Sequence, residues 1–143
     1  MQNLSAFGYF KRAVTERYAD FKGRSRRSEY WFFTLFSMII LLPAYFIGVA
    51  GAASESGALT AIGFGIYGLG ALALIVPSLA VAVRRLHDTG RSGWWYLIGL
   101  VPIIGSIVLL VFFCTDSEPG ANQWGPNPKT GEADVIDHLQ TTA

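Results

Sequence analysis

Residues 30–54 read YWFFTLFSMIILLPAYFIGVAGAAS, 25 consecutive positions without an acid, a lysine or an arginine. A helix rises about 1.5 Å per residue and a bilayer core is about 30 Å thick, so about 20 apolar residues suffice to cross it. Two comparable stretches follow, 56–83 with 28 residues and 92–115 with 24. Between Tyr30 and Val83 the one acid or base is Glu55, which marks a connecting loop. Backbone polar groups in lipid must be bonded internally, and none of these runs alternates as a barrel strand does. The expected fold class is therefore an all-α integral membrane protein. It has three transmembrane helices, at about 31–53, 58–83 and 94–115, and an N-terminal amphipathic interfacial helix. Residues 1–128 form a single membrane domain, and 129–143 a loose polar C-terminal tail.

Composition points the same way. The chain has 143 residues, 52% hydrophobic and 15% charged, against about 25% charged in a typical soluble domain. The net charge of +1 provides no overall basic field for nucleic acid. Its distribution is uneven. Lys11, Arg12, Arg17, Lys22, Arg24, Arg26 and Arg27 precede the first stretch, and Arg84, Arg85 and Arg91 lie between the second and third. Counting bases loop by loop places the N-terminal segment and the 84–93 loop in the cytoplasm. With three spans, the tail after Thr115 then lies outside, with Asp116, Glu118, Glu132, Asp134 and Asp137. Trp31, Trp94 and Trp95 sit beside the basic clusters, where an interfacial aromatic belt is expected. Ser25-Arg26-Arg27 and Ala50-Gly51-Ala52 imitate the start and end of a leader. The apolar run is longer than the usual 7–15 residues of a leader, so a retained helix is expected.

Leu4, Phe7, Phe10, Val14, Tyr18 and Phe21 recur at spacings of three and four, which predicts an amphipathic helix over 4–21 stopped by Gly23. It lies in the headgroup plane or packs on the membrane domain. Ala44, Gly48 and Ala52 form a small-residue line suited to close helix contact. Gly63-Phe64-Gly65-Ile66-Tyr67-Gly68 has the letters of a dinucleotide fingerprint, but inside an apolar span it lacks the strand–turn–helix setting that gives those letters meaning.

Two segments carry the candidate chemistry. Arg84-Arg85-Leu86-His87-Asp88-Thr89-Gly90-Arg91-Ser92-Gly93-Trp94-Trp95 places three guanidiniums beside aromatic anchors, a combination suited to phosphate and anionic headgroups. Asp88 has Arg84, Arg91 or His87 as alternative partners. The second segment contributes Arg24, Arg27 and Glu29. An acid so near a span entrance invites pairing, and a bond from Glu29 to Arg84 or Arg85 would merge both segments into one ion-pair layer. The candidate binding residues are thus Arg24, Arg27, Glu29, Arg84, Arg85, His87, Asp88, Arg91, Trp94 and Trp95. His87 with Asp88 is a poor catalytic pair, because adjacent residues point apart and no nucleophile accompanies them beyond Ser92 or Thr89. No catalytic residue, metal site or cofactor is expected.

The motif Phe21-x-Gly23-Arg24-x-x-Arg27-x-Glu29-Tyr30-Trp31, then Pro77 and the segment from Arg84 to Trp95, resembles a bacterial family called "domain of unknown function 805". Pro102 with Ile104-Gly105, and Gly120-x-Asn122-x-Trp124-Gly125-Pro126-Asn127-Pro128, fit the same pattern. Trp124 stands where the family often has tyrosine, and the run from Glu55 to Pro77 has no matching motif. The resemblance implies a small multi-span inner-membrane protein and brings no activity with it. The expected function is a non-enzymatic membrane component that binds anionic lipid or a partner protein through its cytoplasmic arginine surface. The alternative is an oligomeric small-solute transporter or channel subunit.

Overall fold

The computed structural model describes residues 4–130. Four α-helices are present: α1 (Ala6–Thr15), α2 (Arg27–Ala53), α3 (Gly57–Asp88) and α4 (Ile104–Cys114). A 3₁₀ segment, Gly93–Leu100, stands between α3 and α4. Among the described residues there is no strand, only an isolated bridge between Asn122 and Gly125.

The first two apolar stretches form one long hairpin. At about 1.5 Å per residue, α2 and α3 extend roughly 40 and 48 Å, more than a bilayer core. Their turn is only three residues. Ser54 closes α2 by bonding the carbonyls of Ala50 and Gly51, Glu55 takes a left-handed φ of 55°, and the Ser56 hydroxyl caps α3 at the Leu59 amide. Glycine lets the helices touch. A Cβ on Gly63 would overlap the backbone of Gly48, and one on Gly51 the backbone of Thr60. The inner line of α2 is therefore Ala44, Gly48 and Gly51, all buried, while the expected Ala52 is exposed. Gly65 and Gly68 face open space, so the fingerprint lettering has no structural counterpart. Apolar side chains cover the outside of this hairpin: Phe46 is 62% exposed, Leu69 73% and Leu72 66%. Apolar helices that are largely exposed on this scale suit lipid as the surrounding solvent.

The third stretch does not form one long helix. Its first arm is the 3₁₀ segment and its second is α4, and the two fold back against each other. Ring centroids of Trp95 and Phe112 lie 5.8 Å apart, and a Cβ on Gly105 would overlap the Ile98 carbonyl oxygen. The tip is a γ-turn at Ile103 (φ 65°, ψ −65°), closed by the Ile104 amide donating to the Pro102 carbonyl at 2.7 Å. Positive φ at a β-branched residue is uncommon and strained. Each arm is about 16 Å long, by 2.0 Å rise for the 3₁₀ turn and 1.5 Å for the α-helix, or half of a bilayer core. Two consequences correct the sequence reading. Among the described residues two helices, not three, are long and apolar enough to cross a membrane. The chain after Thr115 emerges at the same end as the N-terminal segment and the 84–93 loop, not opposite them. Hydropathy reports that a segment tolerates lipid, not that it crosses.

Helix α1 is shorter than its apolar periodicity suggests, and it packs on the membrane domain. Its inward face is Tyr9, Phe10 and Ala13, of which Phe10 and Ala13 join Phe33 and Val81 in one core cluster. Phe10 and Phe33 stack at 5.7 Å and Tyr9 on Phe32 at 6.1 Å. Phe7 and Phe21, expected on the buried stripe, are exposed. The proposed loose tail lies outside the described residues beyond Thr130.

Gly105→Ala is expected to destabilise the folded-back arm by about 1–3 kcal/mol, the usual cost of overpacking, whereas Gly68→Ala, facing open space, is expected to be neutral. Thermal unfolding of the two variants in the same detergent checks this.

Candidate functional site

The polar end is built on the last turn of α3. Arg84, Arg85 and Asp88 there are fully buried, so each must find partners inside the protein. Arg84 donates from Nε to the Ser25 hydroxyl at 3.0 Å and from Nη2 to Glu29 Oε1 at 3.0 Å, and from Nη1 to the Asp20 carbonyl. The Ser25 amide returns a bond to the Arg84 carbonyl at 3.0 Å. Glu29, 2% exposed, also accepts from Arg12 Nη2 at 3.2 Å and has Arg17 Nη1 at 3.8 Å. The expected ion-pair layer between the two basic segments is present, through Arg84.

Asp88 is the second node. One oxygen accepts from Arg24 Nε at 3.0 Å; the other accepts from Arg85 Nη1 and from the Ser117 hydroxyl, the latter at 2.6 Å. The remaining guanidinium donors go to main-chain carbonyls. Arg85 bonds Phe113 at 3.1 Å and Thr115, the orphan carbonyls at the end of α4. Arg24 bonds Glu118 at 2.6 Å, Gly120 at 2.7 Å and Gly125 at 3.3 Å. A planar fork with five donors suits this work, for which a lysine ammonium is too compact.

His87 is 8% exposed and lies under the tail. Its ring stacks on Trp124 with centroids 4.5 Å apart and planes within 7°. Its Nδ1 lies 3.1 Å from the Gly23 carbonyl, and its own carbonyl accepts from Asn122 Nδ2 at 2.9 Å. Gly90, with φ 75°, turns the chain where a Cβ would press on the Glu118 carboxylate. Six of the ten candidate residues, Arg24, Glu29, Arg84, Arg85, His87 and Asp88, are therefore brought together and internally consumed. The other four are peripheral. Arg27 is exposed and 3.4 Å from Asp116, Arg91 lies 4.0 Å over the Phe112 ring, and Trp94 and Trp95 are 79% and 48% exposed.

A sequence profile described as "Protein of unknown function (DUF805)" matches residues 18–126, the span from Tyr18 to the tail folded over His87. The chain belongs to this family. Two Escherichia coli (strain K12) relatives are similar to it. Inner membrane protein YhaI is 42% identical over 127 residues, 83% of this chain and 94% of the relative. Inner membrane protein YhaH is 42% identical over 120 residues, 81% of this chain and 93% of the relative. No solved structure matches. The DUF805 region thus contains both carboxylate nodes, Glu29 and Asp88, and α1 adds a layer in front of it.

That added layer creates a feature the sequence reading missed. A cleft of about 360 Å³ opens between α1 and the polar end, lined by Tyr9, Arg12, Glu16, Arg17, Arg24, Arg26, Glu29 and Pro128. Four guanidiniums thus face two carboxylates. Arg12 Nε is buried there without a hydrogen-bond partner. Arg17 is partly committed, to Asp20 Oδ2 at 2.8 Å and to the Lys22 carbonyl at 3.1 Å. Partial burial raises the Asp20 carboxyl, but the Arg17 bond and the Lys22 amide outweigh it and hold the group below its usual range. Among the described residues no group of three His, Cys, Asp or Glu side chains is arranged to hold a metal. The signal available in the sequence was the pair Arg12 and Arg17, off the apolar stripe, but only the docking of α1 shows that they meet Glu29.

Arg24→Gln is expected to release the segment 116–130, because one side chain holds three of its carbonyls. Limited proteolysis would then cut between Asp116 and Thr130 at least about tenfold faster, the effect of losing about 1.4 kcal/mol from a local opening equilibrium, with the α2–α3 hairpin left intact.

Proposed function

We propose that this chain is a non-enzymatic inner-membrane component that binds the phosphate of an anionic lipid headgroup at the cleft between α1 and the polar end. The observation that carries the reading is the convergence of Arg12, Arg17 and Arg26 on one cleft, beside the internally committed Arg24, with an unpartnered guanidinium nitrogen inside it. Guanidinium forks match phosphate oxygens in geometry and charge. The site differs from the loop that motivated it. Arg84 and Arg85 act as internal fasteners, and the recognition surface is the α1 side. The exposed Lys11 and Lys22 add positive charge nearby, as anionic headgroups at a cytoplasmic surface favour.

The accompanying topology has α2 and α3 as two spans and the folded-back 93–114 arm dipping into one leaflet. All eleven lysines and arginines then lie on one side, and positive-inside bias makes that side cytoplasmic, with both chain ends on it. A fluorescent protein fused after Ala143 is expected to fluoresce, and alkaline phosphatase fused there to stay inactive. The reverse pattern would restore three spans.

For the site, full-length protein is taken from mixed phosphatidylglycerol and phosphatidylcholine nanodiscs and its retained lipids are weighed by native mass spectrometry. Phosphatidylglycerol is expected in excess. The excess should fall about tenfold in Arg12→Gln/Arg17→Gln, which removes two charge-assisted bonds, and persist in Lys11→Gln. Retention of both lipids in the ratio supplied would remove the proposal.

A further inference from the structure

A second cavity lies on another face of α2, away from α1 and from the arginine cleft. It measures about 610 Å³ and runs between α2, α3 and the folded-back arm. This is within the usual range for a small-molecule pocket, about 300–1,000 Å³. Its lining is unusual for an apolar region. Tyr30, Thr34 and Ser37 follow one face of α2, and Ser78 on α3 and Ser106 on α4 face them across the groove. No lysine, arginine, aspartate or glutamate lines it.

The three serines share a depth. Ser37 is ten residues into α2, Ser78 ten residues before the end of α3, and Ser106 eight residues before the end of α4. At about 1.5 Å per residue these positions are roughly 12–15 Å from the polar end, half of a bilayer core. A hydroxyl at that depth is costly unless it is paired. Thr34 satisfies itself by donating to the Tyr30 carbonyl at 3.0 Å. Ser37 makes no such bond: its Oγ is buried and without a partner. The groove thus combines apolar walls from Met38, Leu41 and Leu110 with neutral hydrogen-bonding groups.

We infer that the groove binds an uncharged lipid whose small polar head hydrogen-bonds Ser37 and Ser106 while its tail lies against Leu41 and Leu110. A phospholipid headgroup finds no counter-charge here, and a bare acyl chain leaves the hydroxyls unpaired. The fitting chemistry is a hydroxyl or carbonyl head on a hydrocarbon tail, as in diacylglycerol or an isoprenoid quinone. The inference shares only the membrane-embedded reading with the arginine cleft and stands or falls separately from it.

Full-length protein in phosphatidylcholine vesicles is exposed to trace photoreactive diacylglycerol, photoreactive quinone or photoreactive phosphatidylcholine, and labelled peptides are mapped. Labelling at 30–42 and 106–113 by the diacylglycerol or the quinone probe, in excess of the phosphatidylcholine probe and competed by the same unlabelled lipid, supports the site; the probe that labels identifies the head. Ser37→Val should weaken labelling about fivefold, the worth of one hydrogen bond, and Ser106→Leu should block the groove by bulk even if Ser37→Val folds poorly. Equal labelling by all three probes would mark an ordinary lipid crevice and overturn the inference. So would neutral-probe labelling unchanged in Ser106→Leu.

Discussion

The fold at the polar end depends on the grip of Asp88 and its two arginines on the main chain around them. Asp88 holds Arg24 and Arg85 in place, and those guanidiniums spend their other donors on carbonyls of residues 113, 115, 118, 120 and 125. The pair contributes less through mutual attraction than through placement, since the desolvation of buried ions offsets much of their Coulombic gain. Its geometric effect is decisive. Arg85 sits on the last turn of α3, so the end of α4 that it holds is fixed at the polar end. An apolar stretch that leaves that end at Gly93 must therefore return to it by Thr115. Pro102 and Gly105 make the return possible, one by lacking an amide donor and the other by letting backbone approach backbone.

The Glu29 node does for α1 and the 20–25 segment what Asp88 does for the tail. Three arginines from three places in the chain meet one carboxylate, and Ser25 is pinned between Arg84 and Arg85. Beneath these nodes the two apolar clusters, one around Phe33 and Val81 and one around Leu86 and Phe113, pack α1 and α4 onto opposite parts of the α2–α3 hairpin. The polar layer and the apolar clusters are thus one construction, since each arginine that fastens a segment also sets which side chains that segment buries.

What the sequence made legible follows from what its patterns measure. Helices α2 and α3 were readable because an uncharged run long enough to cross lipid has few alternatives. The Glu29–Arg84 contact was readable because a lone acid among bases at a span entrance needs a partner. The destination of Arg24 and Arg85 was not, because their acceptors are carbonyls, which every residue carries and no pattern distinguishes. The third stretch was misread for a related reason: its hydropathy matches a span, and the information that it turns back lies in Pro102, Ile103 and Gly105. The inner face of α1 was read in part: Phe10 sits inside as expected, but Tyr9 and Ala13 join it while the more apolar Phe7 is exposed.

Charge is where the revision has most consequence. Two of the tail's acids, placed by span counting on the far side of a membrane, belong to the polar end: Asp116 pairs with Arg27 and Lys129, and Glu118 supports Asn122. Among the described residues Glu55 alone carries charge at the opposite end. Internal pairing removes Arg24, Arg84 and Arg85 from the outward account, because their donors are already spent on carboxylates, Ser25 and carbonyls. Most of the positive charge outside those bonds sits on α1 and the segment leading into α2, with Arg91 over the Phe112 ring on the loop. The proposed anion site is therefore placed there, and not on the arginine-rich loop whose sequence first suggested it.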